Sequence, residues 1–394
     1  MIDKCLHCYL PLEANEKDFH VKCSKKMFGE ALVPQLLFGE KELEELAYEA
    51  INNQTTVTGV QAKLSLHLTA GNSSIEPKRF TIVGLSGGYI LKPPTPNYKH
   101  LPEVEDVTMH LAELAKIKVV PHSLIRLKSG NLAYITKRID RLKKEKIHME
   151  DMCMLTERLS EDKYYGSHEQ VAKVIAKHSV NPGLDIVNFY EVVLFSFLTG
   201  NADMHLKNFS LLLQKNVGYV FSPAYDLVAT ALVNPADDED LALTLNGKKK
   251  KLKRQDFITA FKNAKLDEKQ QENIFKKMNE AQPLWMNFIA QSFLTKKMQN
   301  DYKALINERF EIASLSESDR IHIGVESKKI GFADRNEIIG DPEFAEVNTE
   351  KILSKSHIDQ RVSAVSMDVA GIDIAPINEG SDTTYFLVSD SEGN

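Results

Sequence analysis

Residues 40–52, EKELEELAYEAIN, place Leu43, Leu46, Ala47 and Ile51 on one side of a 3.6-residue repeat, which predicts a helix. From Gln61 to Thr136 the period changes to two. AKLSLHLT alternates, RFTIVG and GYILKPP are short apolar runs, and LIRLKSGNLAYITKRI reads as a hairpin turning at Ser129, Gly130 and Asn131. One helical stretch, EVEDVTMHLAELAKI, interrupts these strands. From about residue 148 to KALINERFEIA the pattern is mostly helical, with Trp285 expected in its core. This order predicts an α+β chain in which a small strand-rich lobe precedes a larger helical one. Beyond Ser314 there is no strong periodicity until SAVSMDVAGIDIAPI and TTYFLVSD, two candidate strands. That tail carries 16 acids against 7 Lys and Arg, and it is expected to be an appendage, partly disordered or weakly folded. The expected division is 1–44, a small N-terminal segment; 45–139, the strand-rich lobe; 140–313, the helical lobe; and 314–394, the acidic tail. No internal repeat is visible.

Composition narrows the class only slightly. With 43% hydrophobic and 26% charged residues, the chain belongs with ordinary globular proteins of two or three domains. A formal charge of −6 makes no global case for nucleic-acid binding. No apolar run approaches the roughly 20 residues that span a bilayer, and MIDKCLHCYLPLEANEKDF lacks a signal-peptide core, so no membrane association and a cytoplasmic location are expected. Three of the four cysteines, Cys5, Cys8 and Cys23, cluster with His20 as C-x2-C-x11-H-x2-C. Four soft ligands at that spacing fit a tetrahedral Zn2+ ion; the alternative is free thiols and a surface histidine in a small hydrophobic knot.

The stretch FLTGNADMHLKNFSLLL, residues 197–213, sets Asn201, Asp203, His205, Lys207 and Asn208 between two oily runs. An unpaired buried carboxylate is costly, so the polar insert reads as a site held by rigid flanks. Asp203 precedes Asn208 by five residues and Asp226 by 23, across the hairpin-like FSLLLQKNVGYVFS. Phosphoryl transfer to a hydroxyl asks for such a set: one carboxylate to take the proton, and an amide oxygen and a second carboxylate to hold Mg2+. Upstream, Lys92 ends an apolar strand and suits ATP phosphates, and Glu105 (Glu103 next) on the following helix suits Lys92. TTVTGVQAKLS offers Gly59 for a phosphate-cradling turn, and AYITKRIDR offers a hinge for adenine. Each piece alone is more often a solvated edge, an exposed helix face or a plain turn; their order makes the case.

These segments, TGVQAKLS, YILKPP, LPEVEDVTMHLAELA, TKRIDR, HMEDMCML, GNADMHLKNFSLLL and SPAYDL, resemble the HipA-like toxin kinases of bacterial toxin–antitoxin systems, most closely the short HipT-type members. The resemblance runs from about residue 1 to 313. It implies a two-lobed, protein-kinase-like fold and an ATP- and Mg2+-dependent Ser/Thr kinase whose targets include aminoacyl-tRNA synthetases. It also implies a helix-turn-helix antitoxin partner, a small HipS-like protein as a second partner, and contact with DNA only through the antitoxin. By position, Asp203 is the implied base and Asn208 and Asp226 the metal ligands. Lys92 and Glu105 are the implied phosphate lysine and its partner, Thr58, Gly59, Val60 and Gln61 the ATP loop, and Lys137 to Ile139 the hinge. The family autophosphorylates a serine in this loop; Thr56 and Thr58 stand there instead.

Within the catalytic stretch, His205 is expected to bond backbone, and Lys207 either neutralises γ-phosphate or faces outward. Glu150 and Asp151 are expected as caps and ion pairs. The basic run Lys248–Arg254 is either a solvated loop or a patch for nucleic acid, an acidic antitoxin surface or the acidic tail. Two rivals remain: a degenerate kinase-fold scaffold acting as co-repressor, and a small-molecule kinase.

Overall fold

The alternating runs fold into strands because their inward positions supply one continuous apolar face. In the computed structural model, β1 (Leu64–Thr69), β2 (Arg79–Ile82), β3 (Tyr89–Lys92), β4 (His122–Arg126) and β5 (Leu132–Lys137) pair antiparallel in the order β2-β1-β3-β5-β4. Leu91 lies opposite Leu64 on one side and Ile135 on the other, and all three are buried. Residues before the sheet complete this face. Cys5, Leu6, Tyr9, Phe19 and Cys23, with Met27 and Phe28 of α1 (Val21–Phe28) and Leu43 of α2 (Glu40–Asn52), share one hydrophobic cluster with the strands. The structure describes residues 3–52, 63–69, 76–83, 87–142, 145–314, 317–338, 350, 353–366 and 369–371.

Successive strand residues face opposite ways, so Lys92 looks away from Leu91 toward the sheet's second face. There α3 (Leu101–Leu114) lies across β4 and β5. Its Val104, Val107, Leu111 and Ala112 join the core of the helical lobe, and the indole N–H of the fully buried Trp285 donates to the Leu111 carbonyl at 2.8 Å. α3 is therefore wedged between sheet and helices, which fixes where Glu105 stands.

The helical lobe begins with three short strands, β6 (Arg141–Leu142), β7 (Glu145–Lys146) and β8 (Met149–Asp151), then α4 (Met152–Leu155) and α5 (His168–His178). α6 (Pro182–Thr199) is apolar all round, which marks a fully surrounded helix. It has the length and mean hydropathy, 1.2, of a membrane span, yet 72% of it is buried within the protein, so it is the lobe's central helix. Proline at its first turn and Gly200 at φ 69° just past its end set its limits. β9 (Ser210–Gln214) and β10 (Gly218–Phe221) form the expected hairpin, with β8 on the outer side of β9. α7 (Thr230–Val233), α8 (Arg254–Asn263), α9 (Glu268–Gln291) and α10 (Lys296–Ser314) complete the lobe.

The chain divides into two compact units, Met1–Ala313 and Ser314–Asn394. The second contains helices where the sequence shows no strong periodicity. α11 (Glu317–Ile338) and α12 (Lys355–Ser363) are helices. Ile321, Ile323 and Val325 alternate, a strand-like spacing, and no single apolar stripe runs along α11. That is why periodicity missed it. The described part of SAVSMDVAGIDIAPI is a helix end and coil, not a strand, and TTYFLVSD lies outside the described residues.

Candidate active site

Two buried asparagines shape the loop after α6. Asn201 Oδ1 accepts from the Asp203 N–H at 3.2 Å, and Asn208 Nδ2 donates to the Asp203 carbonyl at 2.9 Å. From across the lobe, Thr230 Oγ accepts from Ala202 N–H at 2.8 Å and donates to the Gly200 carbonyl at 3.3 Å. The loop is thus closed on itself and pinned to the segment that follows Asp226. The β9–β10 hairpin returns the chain to it. Ser222 N–H reaches the Ser210 carbonyl at 3.0 Å, and the Tyr225 hydroxyl donates to the Lys207 carbonyl at 3.0 Å and lies 2.5 Å from Ser210 Oγ. Tyr225 precedes Asp226 and Lys207 precedes Asn208, so the second carboxylate and the amide are brought to one locality. Burial holds the His205 imidazole below its ordinary value against the pull of Asp203 and Asp226. Asp226 has φ 60°, a left-handed backbone uncommon outside glycine.

The sheet lobe meets this locality through lysines. Lys92, buried, donates to Glu105 Oε1 at 2.5 Å and also to Asp226 Oδ1. Lys63 donates to the other Asp226 oxygen at 2.8 Å. Burial opposes charge on Lys92, but Asp226 and Glu105 override it and raise its pKa. Burial likewise opposes the Asp226 carboxylate, and the two lysines hold it well below the usual range. Glu105 shares Lys92 with Asp226, and burial pushes it up to about 7. The result is a chain of alternating charges from Lys63 through Asp226 and Lys92 to Glu105, spanning both lobes.

Of the residues named from sequence, Asp203, Asn208, Asp226, Lys92 and Glu105 gather here. Thr56, Thr58, Gly59, Val60 and Gln61 lie outside the described residues. In the hinge, the Lys137 and Arg138 N–H groups bond the Pro121 and Gly88 carbonyls, and Ile139 packs on the large core. Lys207 takes the second of its two readings: its ammonium is 3.1 Å from Ser160 Oγ and 3.7 Å from Asp151. The His205 ring packs edge-on to Tyr164, and its Nδ1 has no hydrogen-bond partner among the described residues. Asp151 does cap α4, accepting from Met154 N–H at 2.9 Å, and Glu150 lies 3.3 Å from His148. The basic run is matched locally, with Lys248 on Asp256 at 2.8 Å, Lys249 on Glu239 at 3.5 Å and Lys250 on Asp238. The acidic stretch 237–240 could have signalled this. Two residues were missed: Lys63, and Tyr164, whose hydroxyl donates to Asp203 Oδ1 at 2.6 Å.

Behind Glu105, on the same helix, Asp106 is buried among aromatic and imidazole rings. It accepts from Tyr9 OH at 2.7 Å, lies 2.7 Å from His122 Nδ1 and 3.4 Å from His110 Nε2. Burial opposes charge on His110, but Asp106 and Glu113 raise it to about 9. A pKa raised above its unfolded value contributes stability that is complete below pH 6.5 or so and is lost as pH rises through about 9. The expected outcome is a thermal midpoint that falls between those limits, by at most about 3 kcal/mol of stability, with a shallower fall in His110→Gln. Melting curves across that pH range check it.

The Cys/His array also comes together. One ligand atom each from Cys5, Cys8, His20 and Cys23 lies within 4.8 Å of the others.

Two families of known proteins resemble this chain. The family model described as HipA-like C-terminal domain matches residues 55–285, more than half of the chain. A Haemophilus influenzae protein named "Putative kinase" is 28% identical over 242 residues, covering 56% of this chain and 66% of that protein. The chain spans less than two thirds of the curated kinase relatives it matches. Among solved structures, a chain of the Shewanella oneidensis MR-1 toxin–antitoxin complex of HipA, HipB and operator DNA aligns with TM-score 0.54 at 21% identity. The alignment covers 72% of this chain and 77% of that one, and shows a shared fold. Elsewhere, a gamma-glutamyltranspeptidase family model matches residues 277–394, and the acylase ACY 1 proenzyme of Pseudomonas sp. strain SE83 is 34% identical over 93 residues. That match spans 23% of this chain and 17% of the proenzyme.

Proposed function

We propose that this chain, which belongs to the HipA-like C-terminal domain family, transfers the γ-phosphoryl group of ATP to a Ser or Thr hydroxyl of a protein. The observation that carries the reading is the Asp226 carboxylate. It is bonded by Lys92 and Lys63 from the sheet lobe, while its neighbour Tyr225 is tied to the loop of Asp203 and Asn208. Asp226 and Asn208 offer hard oxygen donors, the chemistry that suits Mg2+. Held by these two residues, Mg2+ would supply positive charge to offset that of the phosphates. Lys92, positioned by Glu105, would grip the phosphates, and Thr58 to Gln61 would cradle them. Lys137 to Ile139 would border the adenine. Asp203 would accept the hydroxyl proton through one oxygen while Tyr164 holds the other.

Toxin action follows as part of the same reading, through a translation protein such as an aminoacyl-tRNA synthetase. So do restraint by a helix-turn-helix antitoxin or a small HipS-like protein, DNA contact through the antitoxin, and a cytoplasmic setting. The alignment with HipA from a complex with HipB and operator DNA supports the antitoxin. Incubation of the chain with γ-labelled ATP, Mg2+ and cell lysate is expected to label a small set of proteins on Ser or Thr. Label found only on small molecules would overturn the reading. Autophosphorylation at Thr56 or Thr58 would put a dianion where ATP phosphates belong. The double change Thr56→Asp, Thr58→Asp is expected to lower turnover at least about tenfold, since two like charges in one cradle repel. Initial rates of label transfer check it, and full turnover in that variant would remove the control.

A further inference from the structure

We infer that Cys5, Cys8, His20 and Cys23 bind one zinc ion, which clasps the N-terminal segment and through Tyr9 steadies the helix that carries Glu105. The hairpin 4–11 is closed by the Cys5 N–H bonding the Leu10 carbonyl at 2.9 Å, and Cys5 and Cys8 sit on its turn. His20 caps α1 and Cys23 lies in its first turn, so a spacing of three turns both side chains to one side. His20 Nδ1 stands 3.3 Å from Cys8 Sγ and 3.8 Å from Cys23 Sγ. Zinc bonds of about 2.3 Å to sulfur and 2.0 Å to nitrogen put tetrahedral ligand atoms roughly 3.5–3.8 Å apart. The cluster is already near that size.

A second, independent feature points the same way. His20 Nε2 lies 3.0 Å from the Pro11 carbonyl, which accepts its proton. That bond fixes the tautomer and leaves Nδ1, aimed into the thiols, as the lone-pair nitrogen. It is the outer-shell arrangement of a metal-bound histidine. Three thiols cannot all pair as disulfides, and all are free here. Cys5 and Cys23 are buried, which shields the site from exchange.

The clasp holds more than itself. Tyr9 follows Cys8 directly, with φ 63°, and its hydroxyl reaches Asp106, the residue after Glu105. Leu6, between the first two ligands, accepts from Leu124 N–H at 3.3 Å and Ser123 Oγ at 3.2 Å on β4. The ion is therefore structural, with no open position for substrate.

Metal analysis of the full chain, purified without chelator, is expected to find about one zinc per chain. Cys8→Ser and Cys23→Ser are expected to lose it, and Cys153→Ser, outside the cluster, to keep it. Since a ligand variant might simply misfold, the wild-type chain is also exchanged into cobalt, where three thiolates and one imidazole give sulfur-to-cobalt charge-transfer bands and strong tetrahedral absorption. Chelation is expected to lower the wild-type melting temperature. A wild-type chain that carries no zinc and shows no thiolate bands with cobalt overturns the site. Full zinc content in both ligand variants overturns the ligand set. Neither readout uses ATP, so failure here is separate from failure of the kinase reading.

Discussion

Asp203→Asn is expected to slow phosphoryl transfer to protein by about 10³-fold at saturating ATP, with ATP affinity changed less than about threefold. Asparagine has the same shape, and its oxygen still accepts from the Tyr164 hydroxyl. The bonds that close the loop use the Asp203 backbone and the side chains of Asn201 and Asn208, so the loop keeps its form. What disappears is the only carboxylate on that loop able to take a proton. Rates of label transfer and calorimetric ATP binding separate the two effects. A rate within about tenfold of wild type would remove Asp203 from the proton's path.

Asp226→Asn is expected to have the second large effect, loss of Mg2+-dependent transfer by about 10³-fold or more. Asn adopts the left-handed backbone that residue 226 holds at φ 60° more readily than most residues, so it removes charge without adding strain. Alanine at that position would confound the two. With the carboxylate gone, Lys63 loses its anion and buried Lys92 keeps only Glu105. ATP affinity measured with and without Mg2+ is the decisive comparison. In wild type Mg2+ should tighten binding, and in the variant it should not. A variant still tightened by Mg2+ would place the metal elsewhere.

The charge relations explain why these two residues differ in kind. Asp226 is held far below its ordinary range by two lysines, so it stays ionised at any working pH. Asp203 meets one phenol, whose own pKa is raised by burial and by that carboxylate. The first is a fixed anion for a cation; the second is half-buried on a pinned loop and bonded by one hydroxyl.

Much of this was legible in residues 61–137. Leu64, Leu66, Leu91 and Ile135 recur at the strand period, and SGN between two such runs allows little but a hairpin. The spacing from Asp203 to Asn208 and then, across a hairpin, to Asp226 was readable for the same reason. A hairpin's return is local geometry, so sequence distance converts to spatial distance. Lys207 was left open between two readings because nearness in sequence says nothing about which way a half-exposed side chain turns; its ammonium meets Ser160 and Asp151. The second unit was the least readable part. α11 has no single apolar stripe, and the match of residues 277–394 to the gamma-glutamyltranspeptidase family model is nothing that periodicity reveals.

Local pattern by itself determined the strands of the small lobe, the β9–β10 hairpin, the order of the chemical groups and the clustering of Cys5, Cys8, His20 and Cys23 in the sequence. Only tertiary structure decided that Lys63 shares Asp226 with Lys92 across 163 residues, that Tyr164 holds Asp203, and that Tyr9 reaches Asp106 from the Cys/His hairpin. The physical reason is common to all three. Each pairs segments with no shared period, brought together by burial of apolar faces, and burial constrains which surfaces meet without recording in either segment which polar atoms will face each other.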